Sequence, residues 1–318
     1  MNFQNETSST LSNIAEQTLE SNKRIREIFD EPSDAKRQRL IDDEAATKKL
    51  EEDKRREKIQ MLGHFLSPLE PTKRHQDFRS IRIGNTAGTW LLEDLRFIHW
   101  RDGTKTTPLC CYGVPGAGKT VISSIVIDHL ESKFPQSDGI GIAYVYCDYR
   151  DQEEQTVVNI VGSILIQLLL QISNPLRLPN VTRRLEDKKQ QCKRVKTADI
   201  LFSLRFLLLE FKHVFICLDA LDELKPKDRI DLLNLIHSEF NPAVENRVFL
   251  TGRHQIKPEV DQRFQQGTTE IEIIADASDI RAYLHHKIVE DTHINSDSMN
   301  GHLQADIVNT ITERSKGM

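Results

Sequence analysis

Cysteine is scarce and odd in number, five in 318 residues, and no two stand in Cys-x-x-Cys spacing. Cys110, Cys111, Cys147 and Cys217 lie in or beside apolar stretches and Cys192 does not. This excludes a disulfide framework and a thiolate zinc site, leaving reduced thiols in a cytoplasmic chain as the simplest reading. No apolar run approaches the length of a membrane span. The best, Ile160 to Ile172, is interrupted by Ser163, Gln167 and Gln171 and reads as a buried helix. The N-terminus, Met1-Asn2-Phe3-Gln4-Asn5-Glu6, lacks the basic and apolar regions of a signal peptide. A basic excess is also missing: 43 Lys and Arg face 48 Asp and Glu, for a net charge of −5. With no lysine-rich or aromatic-rich strip either, neither a nucleic-acid nor a membrane partner is expected. No His-x-x-x-His pair or Ser-His-Asp order stands out, and the histidines receive no role.

What the chain does have is uneven organisation. Residues 1–66 are polar and charge-dense, with Leu11, Ile14, Leu19, Ile25 and Ile28 at loose helical spacing before Pro32 and Ser33. From Ala35 to Phe65, charges of both signs surround a thin stripe of Leu40, Leu50, Ile59, Leu62 and Phe65. That pattern predicts a long solvated helix, or one strand of a coiled coil that pairs with another copy or a partner protein. Residues 67–106 read as linker and loop up to Gly88, then a packed lead-in helix carrying Trp90, Leu91, Leu92, Phe97 and Trp100. From residue 107 to 318 apolar strands alternate with amphipathic helices. Strands are expected at Pro108–Tyr112, Ile140–Cys147, His213–Leu218, Arg247–Thr251 and Thr269–Ile274. Helices are expected at Lys119–Lys133, Gln155–Ile172, Thr197–Phe211, Lys227–Phe240 and Asp276–Val289. Regular alternation implies a parallel sheet with right-handed crossovers, covered on both faces.

The motif that carries chemistry is Gly113-Val114-Pro115-Gly116-Ala117-Gly118-Lys119-Thr120. This Gly-x4-Gly-Lys-Thr pattern follows a strand, and Val121 leads out into a helix, the context a P-loop requires. Glycines let successive N–H groups turn toward phosphate oxygens, and the helix N-terminus adds its orphan donors. Gly113, Pro115, Gly116, Ala117, Gly118, Lys119, Thr120 and Val121 are therefore the candidate nucleotide-binding residues. Lys119 would reach the outer phosphates, and the Thr120 hydroxyl would ligate Mg²⁺. Downstream, the apolar strand Val214-Phe215-Ile216-Cys217-Leu218 ends in Asp219, a carboxylate placed for the same metal. Ala220 follows it, so a water-orienting base would be Asp222 or Glu223, which could equally cap the next helix. The strand Arg247–Thr251 runs into Gly252-Arg253, and Arg253 at the ligand-collecting edge could meet phosphate charge or pair with an Asp.

Together these residues resemble the NACHT-type NTPase module of STAND proteins. They look most like fungal NOD-like receptors with a nephrocystin-3-like N-terminal domain. Gly88-Thr89-Trp90-Leu91-Leu92-Glu93 is similar to the lead-in segment of that group, and Tyr146-Cys147-Asp148-Tyr149 to the strand after its first helix. The resemblance covers about residues 62 to 318. It implies an ATP-driven switch, ADP-bound at rest and ATP-bound and oligomeric when triggered. Lys119 and Thr120 would hold phosphate and Mg²⁺, Asp219 the metal, and Arg253 would match the Arg of a Thr-Ser-Arg sensor. Gly252 replaces the usual Ser, and Thr86-Ala87 departs from the usual spacing before Gly88. A helix begun near Asp306 stops at Met318 where the resembled proteins run on, so the chain is expected to be a fragment or a reduced form.

The expected fold is an α/β P-loop NTPase with a parallel five-stranded sheet, order 5-1-4-3-2. The expected function is ATP/ADP binding with Mg²⁺ and slow hydrolysis by attack of water on the γ-phosphate. A non-enzymatic nucleotide-binding scaffold is the alternative.

Overall fold

The computed structural model describes residues 17–23, 34–82, 88–103, 107–135, 139–172, 178–239, 246–265, 267–275, 277–294 and 301–315. The expectations placed on Leu11, Ile14, Ile25, Ile28 and Ser33, and on Thr86-Ala87, lie outside these residues.

Two compact units divide between Lys58 and Ile59. The charge-dense stretch forms one helix, α1 (Asp34–Leu66). From Arg37 to Lys58 its side chains are exposed or half-buried, Ile41 and Leu50 included. Within this part the helix uses local pairs, such as Gln38 donating to Asp42 at 2.9 Å and Arg56 facing Glu52 at 3.6 Å. Spacings of three and four residues bring such groups onto one helix face. Its last two turns belong to the second unit. Ile59, Leu62 and Leu66 recur on one face and are buried in the main core.

The segment read as linker holds a helix instead, α2 (Pro71–Ile81). Its sequence offers little apolar periodicity, but Pro71 is pre-set for a first turn. Tertiary anchors complete it: His75 is buried, and Phe78 packs on Tyr146 with ring centroids 4.8 Å apart. The lead-in helix is really two, α3 (Trp90–Glu93) and α4 (Leu95–Asp102). They break at Asp94, whose extended backbone lets its carboxylate accept from the Arg96 N–H at 2.8 Å. Such a cap satisfies a donor that the new helix leaves free.

The sheet comprises β1 (Leu109–Tyr112), β2 (Ile140–Tyr146), β3 (His213–Asp219), β4 (Arg247–Gly252) and β5 (Thr269–Glu272). All pairings are parallel and the order is β2-β3-β4-β1-β5, the expected 5-1-4-3-2 seen from the other edge. Between strands run α5 (Lys119–Lys133), α6 (Val157–Gln171), α7 (Leu178–Gln190), α8 (Thr197–Leu208), α9 (Pro226–Glu239) and α10 (Lys257–Arg263). Two more helices, α11 (Ala277–Ile294) and α12 (Gly301–Arg314), follow β5.

The period of two along each strand sorts the core into two faces. Cys110, Tyr112, Val145, Ile216, Leu218 and Leu250 join one cluster with α6, α8 and α9. Leu109, Cys111, Tyr144, Phe215, Cys217 and Phe249 join the other with α4 and α5. The edge strand β2 is closed by two side chains of α6. Gln171 accepts from Ile142 N at 2.9 Å and donates to Ile142 O at 2.6 Å. Gln167 does the same for Tyr144, at 3.1 and 2.9 Å. The glutamines that interrupt the apolar run of α6 thus stand in for a neighbouring strand, which blunts edge pairing.

Candidate functional site

Because every strand is parallel, the C-terminal ends of β1, β3 and β4 open at one rim of the sheet. Register places Tyr112 beside Gly252 and Leu218 beside Leu250, so Asp219 and Thr251 emerge level with each other. The Gly113 N–H continues the ladder to Gly252 O at 3.1 Å. A side chain at Gly113 would lie 2.7 Å from Ile273 O, so no larger residue fits without moving backbone. Gly116 and Gly118 have φ of +84° and +91°. That left-handed backbone costs little only for glycine. Among the described residues nothing stands within 4 Å of where their Cβ atoms would be, which leaves room on the outer side of this loop for a ligand. Gly118 then leads into Lys119, the first residue of α5, whose N-terminal N–H groups face the same loop.

Lys119 Nζ donates to Gly113 O at 2.9 Å and Val114 O at 3.0 Å, folding over the loop that its sequence position predicts it to serve. Burial pulls its pKa below the ordinary lysine value, while Asp222 and Asp219 push it back up. Asp219 is buried and accepts three hydroxyl protons: Thr120 at 2.7 Å on Oδ2, and Ser123 at 2.5 Å and Thr251 at 2.7 Å on Oδ1. Desolvation raises its pKa, the hydroxyl bonds and Lys119 acting the other way. After it the chain turns sharply at Ala220, a non-glycine residue with φ of +52°, held by its N–H donating to Thr251 Oγ1 at 2.8 Å.

The turn carries Leu221–Glu223 as a single 3₁₀ turn. Asp222 is 3% exposed at its side chain, and both its oxygens are occupied by Arg253. The Arg253 N–H donates to Oδ1 at 3.0 Å and its Nε sits 3.0 Å from Oδ2. Arg253 thus takes the pairing with an Asp. Glu223 accepts from Tyr149 N at 3.0 Å, and its pKa is raised chiefly by burial. Gly252 has a packing reason of its own. A Cβ there would press to 2.5 Å from the Ile256 Cδ1, so a serine would require Ile256 to shift.

Thr120 Oγ1 and Asp219 Oδ2 are hard oxygen donors side by side, and the carboxylate is buried with no Lys or Arg among the described residues paired to it. Both features fit Mg²⁺, which takes one or two protein oxygens and completes its shell with phosphate and water.

The sequence profile of the family described as nephrocystin 3, N-terminal, matches residues 86–253, more than half of the chain. The chain belongs to that family. The match runs from the lead-in segment through the P-loop and Asp219 to Arg253, so this is a nephrocystin-3-type P-loop NTPase domain. No curated protein matches in sequence. Among solved structures, the Aeropyrum pernix ORC1 protein in complex with DNA is similar at 20% identity and TM-score 0.43, over 63% of this chain and 49% of that one. Domain III of the Thermotoga maritima replication initiation protein DnaA is similar at 13% identity and TM-score 0.37, over 73% and 79%. The Drosophila ORC bound to DNA is similar at 15% identity and TM-score 0.39, over 80% and 55%. The chain therefore spans about half the length of the ORC1 protein it resembles.

Three features of this family member escape sequence reasoning. Ser123 lies one helical turn beyond Thr120, a spacing that could have marked it as sharing the carboxylate's side of α5. Thr251 stands in a motif whose Arg drew the attention. Under α2, His75 bonds Tyr146 Oη at 2.7 Å and Asp128 at 3.1 Å. Burial lowers its pKa, with Asp128 opposing. Glu131 brings a further carboxylate near, making a three-residue group of metal-ligand type. Asp128, however, already pairs with Arg82 and lies 3.4 Å from Arg79, so guanidinium charge fills the role a cation would play. Among the described residues no helix is long and apolar enough to cross a membrane.

Proposed function

We propose that the chain binds ATP and ADP with Mg²⁺ at this rim and acts as a STAND-type signalling switch with slow hydrolysis. The observation that carries the reading is the convergence of Lys119, Thr120 and Asp219 on an open glycine loop. Loop N–H groups and the α5 N-terminus would hold the phosphates. Thr120 and Asp219 would hold the metal, which when bound neutralises charge on the phosphate oxygens. Glu223 is better suited than Asp222 to orient a water, because Asp222 spends both oxygens on Arg253. Arg253 would have to leave Asp222 to meet a γ-phosphate, and that exchange is the proposed sensing step. The exposed, two-signed helix Arg37–Lys58 is proposed to associate with another copy or a partner protein.

A second reading, nucleotide binding without turnover, draws on the same commitments: Asp222 is held by Arg253, and Glu223 caps Tyr149. Multiple-turnover ATP hydrolysis by the parent, Asp219→Ala and Glu223→Gln decides between them. The switch reading expects both variants to lose most of the parent's rate. Three equal background rates would leave the binding-only reading.

A further inference from the structure

We infer that Ser123 and Thr251 are positioning residues that aim the Asp219 carboxylate, fixing Oδ2 as the oxygen presented to a divalent cation beside Thr120. This rests on the nucleotide-binding reading above and adds to it two residues and a direction.

Hydrogen-bond capacity decides which carboxylate oxygen is left to present. A hydroxyl has one proton and two lone pairs, and a carboxylate oxygen has about two acceptor sites. Thr251 Oγ1 already receives the Ala220 N–H at 2.8 Å, so its single proton goes to Asp219 Oδ1, 2.7 Å away. Ser123 supplies a second proton to the same oxygen at 2.5 Å. Both acceptor sites of Oδ1 are then filled. Ser123 and Thr251 are each 1% exposed, so water does not compete for them. Among the described residues Oδ2 carries only the Thr120 hydroxyl at 2.7 Å, on the side of the P-loop. A cation entering from the loop meets Oδ2 and Thr120 Oγ1 as a ready pair. The two anchors come from different elements, the second turn of α5 and the end of β4. The aim of the carboxylate is thereby tied to the relative position of P-loop helix and sensor strand. Groups that orient a metal ligand in this way typically govern metal affinity by ten- to a hundredfold.

The test is ADP binding by calorimetry, in EDTA and across a Mg²⁺ titration, for the parent, Ser123→Ala, Thr251→Val and Thr251→Ser. Expected is a Mg²⁺ requirement raised about tenfold or more in Ser123→Ala and Thr251→Val. Metal-free ADP affinity should match the parent, and Thr251→Ser should restore the parental requirement. Thr251→Val also frees the Ala220 turn and can unfold, whereas Ser123→Ala touches no backbone bond and carries the test alone. An unchanged Mg²⁺ requirement in Ser123→Ala overturns the inference, as does an equal loss of metal-free binding, which would mark a structural role. If the parent binds ADP with no response to Mg²⁺, the inference falls and nucleotide binding stands. If the parent binds nothing in either buffer, both fall.

Discussion

Asp219 and Asp222 lie three residues apart at the same rim and are both buried, yet they are solved in opposite ways. Asp219 is surrounded by neutral hydroxyls, and among the described residues no Lys or Arg side chain pairs with it. Asp222 has its own counter-charge from Arg253, whose guanidinium Nε meets Oδ2 while its backbone N–H donates to Oδ1. A buried carboxylate that brings its own counter-charge is complete. One that is hydrogen-bonded but uncompensated has capacity left for a ligand's cation. The contrast separates the end of the rim proposed to bind metal from the end proposed to sense phosphate.

The largest effect expected from breaking the contrast is at Asp219. Asp219→Asn should abolish the Mg²⁺-dependent part of nucleotide affinity, read by calorimetry. In EDTA it should also raise the melting temperature, by removing a charge whose burial is unfavourable. The sign with pH is fixed by the raised pKa of Asp219. Stability from a carboxyl with a raised folded pKa is present below the unfolded value and lost as pH rises through the folded one. The gain from Asp219→Asn should therefore grow with pH and vanish in strong acid. A melting gain that shrinks with rising pH would contradict this.

At Asp222 the expectation reverses. Arg253→Ala strands a buried carboxylate and should cost about 1–3 kcal/mol in urea unfolding, while the Mg²⁺ requirement for ADP stays parental. A loss of Mg²⁺ response in Arg253→Ala would mean that the two carboxylates act as one unit. A control away from the rim is Gln171→Ala, which leaves Ile142 N and O without their partner. It should cost about 1–3 kcal/mol and promote self-association by light scattering, with nucleotide affinity unchanged. The smallest effect is chemical. Of the five cysteines only Cys192 is exposed, and burial holds Cys110 up to about 12. A thiol reagent should titrate one cysteine in the folded chain and five in denaturant, and modifying Cys192 should leave nucleotide binding as it was.

The P-loop end is the more legible in sequence, and for a physical reason. A P-loop needs glycine where φ is positive and where the Ile273 carbonyl crowds Gly113, so backbone constraint becomes residue identity. Alternating strands and helices make parallel pairing legible, while the strand order follows from the resemblance to P-loop sheets, in which the strand before Arg253 lies between the P-loop strand and the Asp219 strand. The Arg253 end is less so: sequence leaves Arg253 facing either phosphate or a carboxylate, and the structure pairs it with Asp222, after a turn with positive φ at Ala220. Helices α2 and α7 are not legible in sequence because they are polar and draw stability from a few anchors, such as His75 and Leu185. The edge role of Gln167 and Gln171 depends on β2 being outermost, which no window of local sequence contains.

The central claim is a working P-loop, and nucleotide binding tests it most directly. Calorimetry of ADP and ATP with Mg²⁺ on the parent chain, beside Lys119→Ala, should show micromolar or tighter binding, about −8 kcal/mol or more, that the substitution abolishes. A folded parent that binds neither nucleotide, or a Lys119→Ala chain that binds as the parent does, would contradict it.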